Sequence, residues 1–315
     1  MKSIVRRDTQ ESYTAYLQRL AESEGLDAQD AAALRRMDRK RSKRMSNADW
    51  VNPSDPEAEI TRLKDGRTAL AYKAEQAVDM DRGAIIAVTT HGGAAADTET
   101  VGETVCEAGV AVAEVMAEPT PAGQYKVHPQ GIQEVVADKG YHSNEVLRDL
   151  GELELRSYVA EPERGERNWQ GKPQEKRAVY ANRRRIEGQR GKRWLARRGE
   201  RIERNFAHQF DTGGMDRLYV RGRSNVHKRL LLQAAACNLA LMMRVLLGAG
   251  KPKAAHDRAV ALCSALFAVI RGLRPESERR ATFSGRAGSR RHGPRRSKKP
   301  TPIARGGKYC RRREV

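Results

Sequence analysis

Between Ile132 and Ser143 the chain reads IQEVVADKGYHS. A short run rich in Val and Ile ends on Asp138. Lysine, glycine and tyrosine follow, and Ser143 stands where a helix would open. A brief apolar run closed by turn residues predicts a buried strand, because a helix needs a longer stretch. A strand that delivers a carboxylate to its C-terminal end and then turns into a helix is how α/β folds present chemical groups. Asp and Gly are also ordinary turn residues, so the same letters describe a structural corner, and the rest of the chain has to decide.

The surroundings of that stretch supply an α/β pattern. Thr68 to Asp79 alternates in part and Ala84 to Thr90 is apolar, with Asp-Met-Asp-Arg-Gly between them, so the pair reads as a hairpin. Asp97 caps a helix carrying Val101, Val105, Ala108 and Val112. After the Asp138 stretch come a short helix from Ser143 to Leu150, a strand from Leu153 to Val159, and a polar loop over 160–175 with Trp169 exposed. Lys176 to Phe210 is helical in pattern, with Gly188, Gly191 and Gly199 as breaks. Ser224 opens a long apolar helix to Leu247. Its Gln233, Asn238 and Arg244 argue for a buried helix over a membrane span. At the front, Asp8 or Thr9 caps a first helix, Asp27 caps a second, and Ser54 with Glu57 suggests a capping box for a brief third.

Charge bears on partners. The net charge is +20, and it is concentrated: residues 160–229 hold 20 Lys or Arg against 9 Asp or Glu, and residues 274–315 hold 15 against 3. One internal segment and one tail therefore carry the whole excess, the electrostatic footprint of a polyanion such as DNA. The tail is dominated by Arg, Pro, Ser and Gly and is expected to be disordered in isolation. The four cysteines are scattered without a CxxC pair, which fits a reducing compartment and neither a disulfide framework nor a zinc site. The N-terminus shows no apolar signal region.

Four ordered blocks carry a resemblance: DPEAEITRLKDGRTALAYKAEQAVD from Asp55, ADKGYHSNEVL around Asp138, YANRRR from Tyr180, and RGERIERNFAHQFDTGGMDRLYVRGRSNVHKRLL from Arg198. Together they resemble the core of bacterial insertion-sequence DDE transposases over roughly residues 1–252. The resemblance implies a ribonuclease-H-like mixed sheet flanked by helices, with carboxylates from separate elements holding Mg²⁺, or Mn²⁺ in its place. It makes Asp138 and Glu203 catalytic and metal-binding. Lys139, Arg198, Arg201, Arg204, Arg217, Arg221 and Arg223 become phosphate contacts. The partner implied is double-stranded DNA, bound by a homodimer in the complete enzyme, in the bacterial cytoplasm at the nucleoid and away from the membrane.

The chain departs from the family in two places. Around Glu203 the Tyr-Arg-Glu-Lys signature is missing, whereas Tyr180, Arg183 and Glu187 have its first spacings, with the next basic residue one position early at Arg193. Glu187 is thus the alternative third carboxylate. The family's first catalytic Asp lies on a strand just before the segment with which this chain opens, so the expectation is an N-terminally truncated or mis-started copy without its first strand. The expected layout is a helical and loop segment over 1–66, the ribonuclease-H-like core over 67–252, an additional helix over 253–273 and the basic tail over 274–315. Against the transposase stand a non-enzymatic basic nucleic-acid-binding protein and a metal nuclease of the same fold.

Overall fold

The computed structural model describes residues 3–42, 45–63, 66–117, 127–163, 165–250, 252–272 and 309–312. In chain order the elements are β1 (Val5–Arg6), α1 (Tyr13–Ser23), α2 (Ala31–Lys40), β2 (Trp50–Val51), β3 (Glu59–Arg62), β4 (Thr68–Val78), β5 (Ile85–Gly92), α3 (Asp97–Ala117), β6 (Glu134–Ala137), α4 (Asn144–Glu152), β7 (Arg156–Val159), α5 (Pro173–Glu187), α6 (Gln189–Ala207), β8 (Arg217–Leu218), α7 (Arg223–Leu247), α8 (Pro252–Gly272) and β9 (Tyr309–Arg312). The class is mixed α/β, as expected. The chain forms two compact units, residues 1–238 with 307–315, and residues 239–306.

In the first unit β4 is the axis. β3 and β5 pair antiparallel with its two halves, from Glu59 opposite Ala71 to Gly92 opposite Tyr72. β9 pairs with Ala71–Lys73, and β8 lies parallel to β9. β6 and β7 form a separate parallel pair, with Val135 opposite Ser157 and Ala137 opposite Val159. The hairpin turn works as its letters predict. Asp79 accepts the backbone N–H groups of Asp81 and Arg82, and Gly83 takes φ +80°, where a side chain would be strained.

β4 alternates only in part because both its faces are covered. Leu70, Tyr72 and Ala74 pack with Val88 beneath Phe206, Phe210, Leu218, Val226 and Leu230. Lys73 and Glu75, on the opposite face, meet Thr100 and Thr104 of α3. A smaller core behind β6 and β7 joins Val101, Ala137, Val146, Leu147, Val159 and Val179. Each fully buried side chain of this size contributes about 1.5–3 kcal/mol relative to exposure.

Three asparagine amides close strand edges, each offering one backbone residue a partner for both its N–H and its C=O. Asn47 does this for Ile60, Asn182 for Val159 and Asn238 for Ile85. Each stands in for a neighbouring strand on an edge that would otherwise recruit one.

Several local expectations are corrected. α1 is capped by Ser12 and α2 by Asp30, because those side chains reach the free N–H groups of Ala15 and Ala32. The Ser54–Glu57 segment makes no helix. Asp55 and Glu57 instead anchor the start of α7, accepting the N–H groups of Gly222 and Arg223, and Asp55 also accepts the Tyr72 hydroxyl. Of the three expected glycine breaks only Gly188 interrupts the helical run; Gly191 and Gly199 lie within α6. Trp169 is partly buried against the smaller core. α7 is buried only on one face of its first turns, at Val226, Leu230 and Ala234, and by length and composition it is apolar enough to cross a membrane.

In the second unit the Arg258 guanidinium donates to the Leu247 and Gly248 carbonyls, closing the end of α7. The expected disordered tail lies outside the described residues except for Tyr309–Arg312, which form β9.

Candidate active site and basic face

The Asp138 stretch gives the expected order of strand, turn and helix, but β6 is only partly buried except at Ala137. β6 ends at Ala137, a single 3₁₀ turn follows over Lys139–Tyr141, and Ser143 caps α4 by accepting the Val146 N–H at 3.0 Å. Asp138 caps the short turn through the Lys139 N–H at 2.8 Å and keeps its carboxylate 54% exposed. Its ionic partner is Arg198, with Nη2 3.6 Å away. His142, four residues on, is buried and belongs to the interior.

Arg198 reaches Asp138 from α6, the helix whose later residues anchor it to the main core. Ile202 and Phe206 pack on the main core. Glu203 stands five residues beyond Arg198, roughly 140° further round the helix. It is exposed and makes no hydrogen bond or ion pair among the described residues. Glu187, at the end of α5, is exposed as well.

The expected phosphate contacts fall into three places. Lys139 and Arg198 flank Asp138. Arg201 donates to the Asp81 carbonyl at 3.1 Å, alongside Arg197, which also pairs with the Asp81 carboxylate at 3.0 Å. Arg204 pairs with Glu200 one turn back at 2.7 Å. Arg217, Arg221 and Arg223 are exposed around β8 and the start of α7, where Arg223 lines a cavity of about 400 Å³ with Glu57, Glu103 and Glu107. Other cations escaped the sequence reading. Arg177 and Arg184 on α5, with Lys192 and Arg193 on α6, are exposed and have no ion-pair partner among the described residues. The seven-residue spacing of Arg177 and Arg184 puts them on one helix stripe.

β7 also delivers a carboxylate beyond its end. Glu161 accepts two hydrogen bonds from Arg183, at 2.8 and 2.9 Å, and one from Arg167 at 2.6 Å. The Arg183 hydrogen bonds hold its carboxyl below the usual range, against the opposing effect of burial.

Residues 160–243, from the end of β7 through α5, α6 and β8 into α7, match the family model of the transposase DDE domain. Over these residues the chain is similar to the DDE transposases. The matched stretch opens with the polar loop that follows Val159 and contains Arg198, Glu203 and Glu187, while Asp138 precedes it. Searches of curated proteins and of solved structures returned no match.

A transposase implies DNA as its partner, and domains of this family use divalent metal ions. Asp138 suits such an ion as one exposed carboxylate, since Mg²⁺ takes oxygen ligands, keeps several waters and completes its shell on substrate phosphates. Among the described residues no three His, Cys, Asp or Glu side chains converge to hold one.

Proposed function

We propose that the chain is a metal-dependent DNA transposase of the bacterial insertion-sequence kind, with Asp138 at its reactive centre and Glu203 as a second carboxylate. The observation that carries this is the meeting of Asp138 with Arg198: an accessible carboxylate at the end of a strand touches a cation of the matched transposase domain. The order of hairpin, helix, strand, helix, strand and basic helices supports a ribonuclease-H-like core within 67–252. When bound, Mg²⁺ or Mn²⁺ supplies an activated water or 3′ oxygen and offsets charge on the scissile phosphate.

The chain's own residues divide the remaining work. Asp138 offers the ion the lone pairs left over by the Lys139 N–H and Arg198. Arg198, only 20% exposed, sits where it can hold a phosphate oxygen beside that carboxylate. Lys139 and the exposed cations of α5 and α6 bind the DNA backbone and make affinity salt-dependent. Glu203 is the second carboxylate of this set, and Glu187 is the competing candidate.

Cleavage and strand transfer of a duplex bearing the element's end, with Mg²⁺ or Mn²⁺, test the proposal. Asp138→Asn lowers the rate by roughly 100-fold or more, the scale of losing a main electrostatic stabiliser, and leaves DNA affinity in EDTA unchanged. Glu203→Gln and Glu187→Gln, assayed side by side, decide between the two glutamates. DNA binding by the unmodified chain with no cleavage in either metal would replace this reading with that of a non-enzymatic binding protein.

A further inference from the structure

Behind the Asp138 turn lies a second set of charges that the proposed reaction does not use. Lys73, in the middle of β4, is 6% exposed. Its ammonium lies 2.6 Å from Asp97 Oδ1, 2.8 Å from Glu75 Oε1, 2.9 Å from Thr100 Oγ1 and 3.4 Å from the Ala95 carbonyl. Glu75, 3% exposed, uses its other oxygen to accept the Thr104 hydroxyl at 2.8 Å. An ammonium between two carboxylates is an expensive way to pack a strand against a helix. Apolar residues of similar volume are often at least as stable there. What the charges impose is a single geometry, since Lys73 fixes the direction of the Asp97 carboxylate.

That carboxylate meets the turn. Asp97 Oδ2 lies so close to Gly140 that a Cβ built there would come within 2.3 Å of it. The Asp97 side chain is partly exposed, but its other oxygen is held by Lys73, so yielding to a methyl group means disturbing that ion pair. On the next residue, the Tyr141 ring centre lies 6.0 Å from Lys73 Nζ. Gly140 and Tyr141 follow directly on Asp138 and Lys139 in the same 3₁₀ turn.

We infer that Lys73 and Asp97 are positioning residues for Asp138: Lys73 fixes Asp97, Asp97 is the wall on which Gly140 rests, and the seated turn sets where the Asp138 carboxylate stands. The inference builds on the role proposed for Asp138. Asp97 itself touches no reacting group in this arrangement and acts through Gly140.

Two variants test the contact from opposite sides. Asp97→Asn keeps size and shape and removes the charge that Lys73 holds. Gly140→Ala leaves every buried charge in place and drives a methyl group against Asp97 from the exposed side, so it serves even where Asp97→Asn fails to fold. Amide hydrogen exchange is followed at Lys139–His142 and, as a reference, in β4, β5 and α3; Mn²⁺ affinity is read by electron paramagnetic resonance. Both variants are expected to speed exchange in the turn by about 10-fold without changing the reference amides. Mn²⁺ binding weakens by about 10-fold, the scale on which an outer support tunes a metal ligand.

Unchanged exchange in the turn overturns the inference, and so does acceleration spread equally through β4, β5 and α3. A loosened turn with unaltered Mn²⁺ affinity overturns it as well. An unmodified chain that binds no Mn²⁺ defeats the catalytic reading instead, and turn exchange then scores the positioning contact alone.

Discussion

Two neighbouring parallel strands, β6 and β7, each hand a carboxylate to the loop beyond their C-terminal ends, and the two ends treat it in opposite ways. At the end of β7, Glu161 is 17% exposed and three hydrogen bonds from Arg183 and Arg167 fill its oxygens. At the end of β6, Asp138 is 54% exposed, accepts one hydrogen bond, from the Lys139 N–H at 2.8 Å, and has one ion pair at 3.6 Å, beyond hydrogen-bonding distance. The chain has cations to spare near both, so scarcity of arginine does not explain the difference. Glu161 is used up in holding the loop after β7 to α5. Asp138 is left open while the turn beneath it is held by other residues. A carboxylate is useful to a metal or a phosphate only when its own protein has not already satisfied it.

The sharpest way to break this contrast is to remove the satisfied member. Glu161→Ala leaves two guanidinium groups without the acceptor they share. Arg167 is only 13% exposed, while Arg183 at 37% recovers water easily, which discounts its part. The expected loss is about 2 kcal/mol, in the range for hydrogen bonds to a charged group. It is measured by urea or thermal unfolding of the variant against the unmodified chain. A loss below about 0.5 kcal/mol, the ordinary surface range, would mean that the arginine cluster is incidental and that the two strand ends do not differ as described.

Acidification applies the same break more gently. The Glu161 carboxyl is held low by Arg183, so its folded pKa lies below the unfolded value of about 4.3. Its contribution is therefore complete above that pH and is lost as pH falls through the folded pKa, where the unfolded state binds the extra proton. Subtracting the unfolding free energy of Glu161→Ala from that of the unmodified chain should give a difference that is flat near neutrality and shrinks below about pH 4.3. A difference independent of pH would assign the stabilisation to packing of the glutamate stem.

The sequence showed one of these strand ends far better than the other. The Asp138 end is written locally: an apolar run, Asp, Gly and a capping Ser occupy twelve consecutive residues, and each acts on neighbours in the chain. The hairpin and the long helices were legible for the same reason. Glu161 became satisfied only when Arg183, 22 residues on, came round on α5. The three asparagine edge closures and the Lys73–Asp97 seat depend on partners at least as remote or on different elements, and no local pattern announces them. Lys73 and Glu75 read as ordinary polar positions of an alternating strand, whereas the fold buries both.

The last prediction sharpens the comparison from the open side. If Asp138 is truly unspent, its removal should cost the fold almost nothing. Its pair with Arg198 is long and half in water, and pairs of that kind contribute between about 0 and 1 kcal/mol. Its one short hydrogen bond, from the Lys139 N–H, caps a single 3₁₀ turn that water can reach. Asp138→Ala should therefore shift unfolding by no more than about 1 kcal/mol, a smaller cost than that of Glu161→Ala, and cancellation is within reach because Arg198 loses no buried partner. A loss of about 2 kcal/mol or more would show that Asp138 holds the turn in place. The proposed reactive carboxylate would then be a structural one, and the contrast between the ends of β6 and β7 would collapse.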